Sequence, residues 1–272
     1  VDDEFCEEMR RVGNLSLSIS LEGFEEVNDM RRGEGVFKKV MATMDRLKKY
    51  GLIFGTSICY TRKNIETVTS DEFLDMIIGK GCRFTWYFHY MPVGNDAAPD
   101  LLPTKEQREY MYHRVREIRS MTGGKPIYAM DFQNDGEFVG GCIAGGRNYC
   151  HINANGDVEP CVFIHYSSAN IREVTLLEAL KQPLFMAYRD RQPFNDNHLR
   201  PCPMLENPEI LQNMIKETGA KSTDLQSPES AEHLCSKCEA YACEWKETAD
   251  RLWKEHPHQQ KGYTNYKKRT EN

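Results

Sequence analysis

The sequence predicts an α/β fold built from parallel βα units, followed by a smaller cysteine-rich α+β part. Two observations predict this order. Apolar runs of strand length alternate with amphipathic segments of helix length over the first 130 residues, and such alternation is typical of parallel strands joined by right-handed crossovers. After Gly140-Gly141 the pattern changes, and seven of the ten cysteines fall between Cys142 and Cys243.

Each element of the first part has a local signal. Strands are indicated by short apolar runs, and helices by apolar residues near the 3.6-residue period between capping residues. Ser70 is an N-cap residue, Thr104 and Gln107 form a capping box, and Gly51 ends a helix. In chain order we predict a strand at 15–23, a helix at 35–51, a strand at 52–61, a helix at 70–81, a strand at 82–94, a helix at 104–124 and a strand at 125–132.

The second part is predicted to contain a hairpin and three helices. The helices lie near 173–190, near 207–219 and around the stretch CSKCEAYAC. In CHINANGDVEPC, the pair Asn155-Gly156 predicts a two-residue type I′ turn, which places Cys150 directly opposite Cys161. Opposed Cβ atoms lie about 4.5–5.5 Å apart, so a disulfide, a shared metal or iron–sulfur centre, or two small buried residues remain open.

Composition narrows the class of protein. The chain has 272 residues, 40% of them hydrophobic and 28% charged, with a net charge of −6. It contains no apolar run of the roughly 18 residues that a transmembrane helix needs and no secretory signal, so we expect a cytoplasmic protein. The acidic balance argues against a nucleic-acid partner. We expect residues 256–272, with the basic stretch KGYTNYKKRTEN, to form a polar, solvated tail.

The cysteines favour a metal site over disulfides. Without a secretory signal, clustered cysteines in a chain of this size more often bind metal or iron–sulfur clusters. The final trio, Cys235-x2-Cys238-x4-Cys243, also suits tetrahedral zinc, and this alternative stays open.

Several segments together resemble the radical S-adenosylmethionine (SAM) enzymes. The turn Ser20-Leu21-Glu22-Gly23, then Asp29-Met30-Arg31-Arg32, then Gly35 and Phe37 resemble the fourth strand and helix of that superfamily. GLIFGTSICYTRKN resembles the fifth strand and FTWYFHYMPVG the sixth. The spacing from Cys142 to Cys150 to Cys161, followed by TLLEALKQPLF, resembles the opening of a SPASM or twitch domain, which binds auxiliary [4Fe-4S] clusters.

The resemblance implies a partial (β/α) barrel of parallel strands followed by a small cysteine-rich α+β auxiliary-cluster domain. It implies three regions: 1–138 as the C-terminal half of the barrel, 139–255 as the SPASM/twitch-like domain, and 256–272 as the tail. The superfamily's Cys-x3-Cys-x2-Cys loop is nowhere in these residues. We therefore expect the chain to be the C-terminal part of a longer enzyme that does not cleave SAM by itself.

The resemblance also assigns site residues. Ser20 and Arg32 hold the methionyl carboxylate of SAM, which suits the charge-assisted fork of a guanidinium, and Ser18 and Asn64 are candidates for the nucleoside. The cluster ligands are expected among seven thiolates, with Cys202 as the fourth ligand of the first cluster: Cys142, Cys150, Cys161, Cys202, Cys235, Cys238 and Cys243.

The implied function is 5′-deoxyadenosyl radical chemistry on a peptide, small-molecule or lipid-like substrate, with a reducing partner such as flavodoxin or ferredoxin. The auxiliary cluster, one or two in number, would transfer electrons or anchor substrate. Val162 stands where the peptide-oxidising members carry an acidic base, which disfavours anaerobic sulfatase maturation. The alternatives are a non-enzymatic electron-transfer or scaffold module and a zinc-stabilised binding domain. The aromatic run around Trp86 predicts either core packing or a cavity lining.

Overall fold

A computed structural model describes residues 1–255, so the predicted tail at 256–272 lies outside the described residues. The chain divides into two compact units. The first comprises Val1–Tyr90 and Leu101–Asn134, and the second comprises Met91–Asp100 together with the chain from Asp135 onwards. The chain therefore changes unit at residue 135, near the boundary predicted at 138, and the segment after the third strand joins the second unit.

The first unit contains the alternating strands and helices that the sequence predicts. Thr104 and Gln107 form the expected capping box. At the start of an earlier helix, the Ser70 hydroxyl accepts a hydrogen bond from the Phe73 N–H. The elements are α1 (Asp3–Val12), β1 (Leu17–Ser20), α2 (Glu25–Arg32), α3 (Val36–Lys49), β2 (Phe54–Tyr60), α4 (Ile65–Val68), α5 (Asp71–Gly79), β3 (Phe84–His89), α6 (Lys105–Ile118) and β4 (Tyr128–Asp131). A 3₁₀ turn at Pro99–Leu101 spans the point at which the chain returns from the second unit to the first.

The four strands form one parallel sheet in the order β1-β2-β3-β4. Ser20 pairs with Ser57, and Ser57 pairs with Trp86, so these three side chains share one face. On the other face, Thr56 pairs with Thr85, and both are fully buried. This parallel sheet with crossover helices confirms the predicted α/β class.

The two faces of the sheet differ in burial. Along β3 the side chains alternate between half-buried and buried. Tyr87 packs in the core with strand residue Ile58 and helix residues such as Leu74 and Val115. Phe88 lies on the half-buried face, where its ring stacks on Phe132 at 4.5 Å. The aromatic run is therefore divided: alternate members pack in the core or line the more open face.

The second unit is built from short strands and helices. Its elements are α7 (Gly136–Val139), β5 (His151–Ile152), β6 (Val158–Glu159), β7 (Tyr166–Ser167), α8 (Leu176–Ala179), α9 (Pro183–Arg191), α10 (Pro208–Thr218), β8 (Lys221–Ser222) and α11 (Ala231–Glu255). The segment 91–100 joins this unit through Gly94, whose N–H donates to Glu229 Oε2 at 2.9 Å and whose carbonyl accepts from Lys237 Nζ at 2.7 Å.

One predicted helix is wrong in detail. The segment 173–190 forms two helices, because Pro183 has no N–H to continue the first and instead begins the second. The predicted helix near 207–219 is confirmed as α10, and the cysteine-rich C-terminal helix is confirmed as α11. No helix within residues 1–255 has the length and apolar character needed to cross a membrane.

Candidate functional site

The carboxyl end of β1 carries a buried carboxylate that two arginines neutralise. Glu22 is 1% exposed, and Nη1 of Arg31 lies 2.8 Å from its Oε2. Nε of Arg32 lies 3.1 Å from Oε1, and Nη2 donates to the same oxygen. The arginine side chains are 45% and 32% exposed. Because two positive charges face one negative charge, this group favours an anionic ligand.

Arg32, which the resemblance assigns to the SAM carboxylate, is thus held in place by Glu22. Arg31 also hydrogen-bonds to the thiol of Cys59; burial raises the pKa of that thiol, and the guanidinium acts in the opposite direction. Neither Glu22 nor Arg31 is among the site residues predicted from the sequence. The available signal was an acidic residue just after a strand with two adjacent arginines on the next helix.

The two predicted serines lie on β1, on the half-buried face of the sheet. Ser20 is the last residue of β1, close in sequence to the Glu22 group. The hydroxyl of Ser18 is buried without a hydrogen-bond partner among the described residues. A buried hydroxyl without a partner is costly, and an incoming polar ligand would relieve that cost.

Asn64 is buried, and its amide joins two strand ends. Its Oδ1 accepts from the Thr61 N–H at 2.7 Å, and its Nδ2 donates to the carbonyls of Glu22 at 3.1 Å and Cys59 at 3.2 Å. The structure therefore gives Asn64 a role in positioning the loops after β1 and β2. Its contact with a nucleoside stays a prediction.

In the second unit, the hairpin register differs from the predicted one. Ile152 pairs with Val158 and His151 pairs with Glu159, which leaves a three-residue loop of 154–156. Only Gly156 in this loop has positive φ, at 93°, as in a type I turn closed by a glycine bulge. The type I′ turn was therefore wrong, and Cys150 does not lie directly opposite Cys161.

Three of the predicted ligands nevertheless come together. The thiols of Cys142, Cys161 and Cys202 are close enough to influence one another's pKa. Each comes from a different loop of the second unit. All ten cysteines of the chain lie within residues 1–255 and are free thiols.

Backbone N–H groups point at each of these three sulfurs. The Leu205 N–H lies 3.4 Å from Cys202 Sγ, and Cys142 and Cys161 receive backbone hydrogen bonds that act to lower their pKa. Burial is the larger effect, and it raises the pKa of Cys142 to about 11 and that of Cys161 to about 12. These thiols are therefore protonated until a metal centre displaces the protons, and the N–H groups are in place to stabilise thiolates.

The other four predicted ligands lie apart from this group or at its edge. Cys150 packs against the apolar cluster of Val158, Ala179 and Phe185. Cys235 and Cys238 are buried on one side of α11, whereas Cys243 is exposed. The structure does not bring the final trio together, because five residues of helix turn Cys243 away from Cys238.

Two buried donors of the second unit have no partner among the described residues. They are the hydroxyl of Tyr188 and Nε of Arg200. Buried donors are nearly always paired in folded proteins. The Tyr188 phenol lies near the three thiols and Arg200 stands two residues before Cys202 in the sequence, so both fit a site that a sulfur-containing group completes.

Within residues 1–255, no three His, Cys, Asp or Glu side chains are placed as ligands of one metal ion. A four-iron cluster takes one thiolate at each of four iron atoms, so its ligands lie farther apart than those around tetrahedral zinc.

Comparison with known proteins finds similarity to an iron–sulfur domain family and to two named enzymes. Residues 142–204 match the SPASM family, described as an iron-sulfur cluster-binding domain. The chain is 23% identical to an AdoMet-dependent heme synthase of Oleidesulfovibrio alaskensis, over 69% of this chain and 54% of that protein. It is 30% identical to the mycofactocin maturase MftC of Mycolicibacterium smegmatis, over 55% of this chain and 39% of the maturase. The chain thus spans about half the length, or less, of these relatives.

A solved structure shows a similar fold. Native anSMEcpe with bound AdoMet and Kp18Cys peptide superposes with a TM-score of 0.54 at 12% identity, covering 94% of this chain and 74% of that one. Together these comparisons confirm the resemblance to radical SAM enzymes that carry a SPASM domain.

Proposed function

We propose that this relative of the SPASM-containing radical SAM enzymes is part of an enzyme that performs radical chemistry on an organic substrate, and that its second unit binds an auxiliary [4Fe-4S] cluster. One observation carries the cluster assignment: Cys142, Cys161 and Cys202 converge from separate loops, each with a backbone N–H directed at its sulfur. The match of this region to an iron-sulfur cluster-binding family supports it.

These three thiolates would hold three of the four iron atoms. The remaining ligand would be Cys150, which the resemblance assigns, or Cys235, which, like the other three thiols, lies near enough to Tyr188 to raise its pKa. A cluster so bound supplies one-electron redox chemistry, and an iron with an open position can bind substrate. Cys238 is buried and Cys243 is exposed, so a role for these two residues in a second cluster or a zinc site stays a prediction of the sequence and is not part of this cluster assignment.

We assign the SAM contacts of the first unit to Ser20 and Arg32, with Ser18 and Asn64 toward the nucleoside. The net positive charge around Glu22 supports a carboxylate at Arg32, and the unpartnered hydroxyl of Ser18 supports a polar ligand beside β1. SAM, when bound beside a reduced cluster in the complete enzyme, is the source of the substrate radical.

The substrate class proposed is a peptide, with a small or lipid-like molecule as the alternative. A peptide is bound in the anSMEcpe structure, which resembles this chain in fold. Val162, which is exposed after Cys161, lacks the carboxyl group that a peptide-oxidising base needs, so we do not propose sulfatase maturation. A flavodoxin or ferredoxin as reductant and a cytoplasmic location complete the proposal, since reduced thiols persist in reducing compartments.

The test is metal analysis of anaerobically reconstituted protein. We expect iron and acid-labile sulfide in wild type and their loss in Cys161→Ala, while Cys59→Ala, the matched half-buried thiol of the first unit, keeps its iron. Equal iron in both variants would contradict the ligand assignment, and bound zinc in place of iron would favour the binding-domain alternative. The variants Cys150→Ala and Cys235→Ala then identify the fourth ligand, because only the true ligand's removal lowers the iron content.

A further inference from the structure

Tyr188 is a fully buried tyrosine whose hydroxyl has no hydrogen-bond partner among the described residues. It lies on α9 of the second unit. A buried phenol nearly always pairs its O–H, because leaving it unpaired lowers the stability of the folded state. The unpaired hydroxyl therefore indicates that a group outside the described protein atoms accepts its hydrogen bond.

Two neighbours fix the ring of Tyr188. Gly145 lies so close that a Cβ added there would come within 2.5 Å of the tyrosine Cγ. Phe194 packs edge-to-face against the ring, with 5.2 Å between the centroids. Since side chains in cores occupy single packed rotamers, the hydroxyl does not swing out to find water.

The loops that carry two of the assigned thiols lie against the Tyr188 ring, because Gly145, three residues after Cys142, packs on it and the Gly145 N–H donates to the carbonyl of Pro160, next to Cys161, at 3.0 Å. Burial raises the pKa of Tyr188, and Cys161, Cys142, Cys202 and Cys235 raise it further, in that order. A tyrosine hydroxyl is ordinarily protonated at physiological pH, so it is available as a hydrogen-bond donor. Cysteines from three different loops therefore lie near this phenol, whose O–H is buried without a partner among the described residues.

We propose that Tyr188 donates an O–H···S hydrogen bond to the iron–sulfur cluster of the second unit and thereby raises the reduction potential of that cluster. The acceptor is a cysteine thiolate or an inorganic sulfide of the cluster. Hydrogen bonds to cluster sulfurs tune the potential, because a donor stabilises the reduced, more negatively charged form more than the oxidised form. This inference rests on the proposed cluster and adds a tuning residue to it.

The test compares wild type with Tyr188→Phe after anaerobic reconstitution with iron and sulfide. Iron and sulfide content should be unchanged, since Tyr188 is not a ligand. In a redox titration followed by electron paramagnetic resonance, the reduced-to-oxidised ratio at a fixed potential should fall about two- to tenfold, which for one electron is a shift of up to about 59 mV to more negative potential. An unchanged midpoint potential would overturn the inference.

A second measurement guards against a purely structural role. In the cluster-free protein, Tyr188→Phe removes only an unpartnered hydroxyl, so its unfolding midpoint should equal or exceed that of wild type. A lower midpoint without the cluster would show that the hydroxyl has a protein partner, and would overturn the inference.

The matched control is Tyr87→Phe. Tyr87 is equally buried, but its hydroxyl donates to the Val68 carbonyl of the first unit at 2.8 Å, so this variant should leave the cluster potential unchanged and lower stability instead. An equal potential shift in both variants would overturn the specific role of Tyr188. Failure of wild type to bind iron refutes the proposed function instead, which keeps the two failures distinguishable.

Discussion

Replacing Asn64 with alanine tests the role that the structure gives this residue. Its side chain is 4% exposed and makes hydrogen bonds to the Thr61 backbone N–H and hydroxyl, and to the carbonyls of Glu22 and Cys59. These bonds join the loop after β1 to the loop after β2. We expect no neighbouring side chain to take over these hydrogen bonds when the amide is removed, because the amide both donates and accepts.

The size of the effect follows from what the substitution leaves behind. Asn64→Ala leaves the buried Thr61 N–H without its acceptor, and two carbonyls without a donor. A buried polar group left unpaired costs about 1–3 kcal/mol, and partial entry of water into the space lowers the sum. We expect the free energy of unfolding to fall by about 2–4 kcal/mol.

The assay is urea unfolding, with the shift of the transition midpoint as the readout. Asn213→Ala is the control, because Asn213 is exposed on α10 and its replacement should change stability by no more than about 0.5 kcal/mol. An Asn64→Ala variant as stable as the control would refute the positioning role. It would leave the predicted contact with a SAM nucleoside as the reason for an asparagine here.

Three further predictions concern other buried groups. Gly145→Ala should lower stability by about 3 kcal/mol, because a Cβ at φ 67° also meets the Tyr188 ring. Gly219→Ala, with φ 65° and open space, should lose only about 1 kcal/mol in the same urea assay. Burial lowers the pKa of His89 to about 3. The unfolded chain takes up that proton near pH 6.5 and the folded chain does not, so His89 lowers stability by about 1.4 kcal/mol per unit as pH falls below 6.5, and His89→Gln should flatten this slope in acid titrations. Glu22→Gln should cost about 1 kcal/mol in thermal unfolding, a value reduced by the solvent exposure of its two arginine partners.

The sequence predicted the strands and helices of the first unit because their signals are local. Alternating apolar runs indicate strands, and Ser70 and Thr104 mark helix starts whether or not the rest of the chain is known. A local signal of the same kind gave the wrong turn type in the hairpin of the second unit. Asn155-Gly156 suits a type I′ turn, but the structure forms a three-residue loop in which only the glycine has positive φ, and the pairing moves by one residue.

The one-residue change in hairpin pairing shows why the cysteine site could be predicted only in part. Ligand candidates follow from the presence and spacing of cysteines, but their convergence depends on long-range packing. Cys202 joins Cys142 and Cys161 through the fold of the second unit, and no local pattern fixes that distance. The exposed position of Cys243 likewise follows from an unbroken helix through the final trio, which spacing alone does not reveal.

The buried polar groups at the two candidate sites differ in whether they have hydrogen-bond partners. This difference affects how each site would bind its ligand. In the first unit, Glu22 is satisfied by Arg31 and Arg32, so most of the polar groups that face an anion are ordered before it arrives. In the second unit, the hydroxyl of Tyr188 and Nε of Arg200 have no partner among the described residues, and burial raises the pKa of the thiols of Cys142, Cys161 and Cys202. The first arrangement favours exchange of a small ligand at a preformed site. The second favours permanent occupancy. Binding removes the cost of unpaired donors, and it replaces the protons on thiols that do not ionise by themselves at neutral pH.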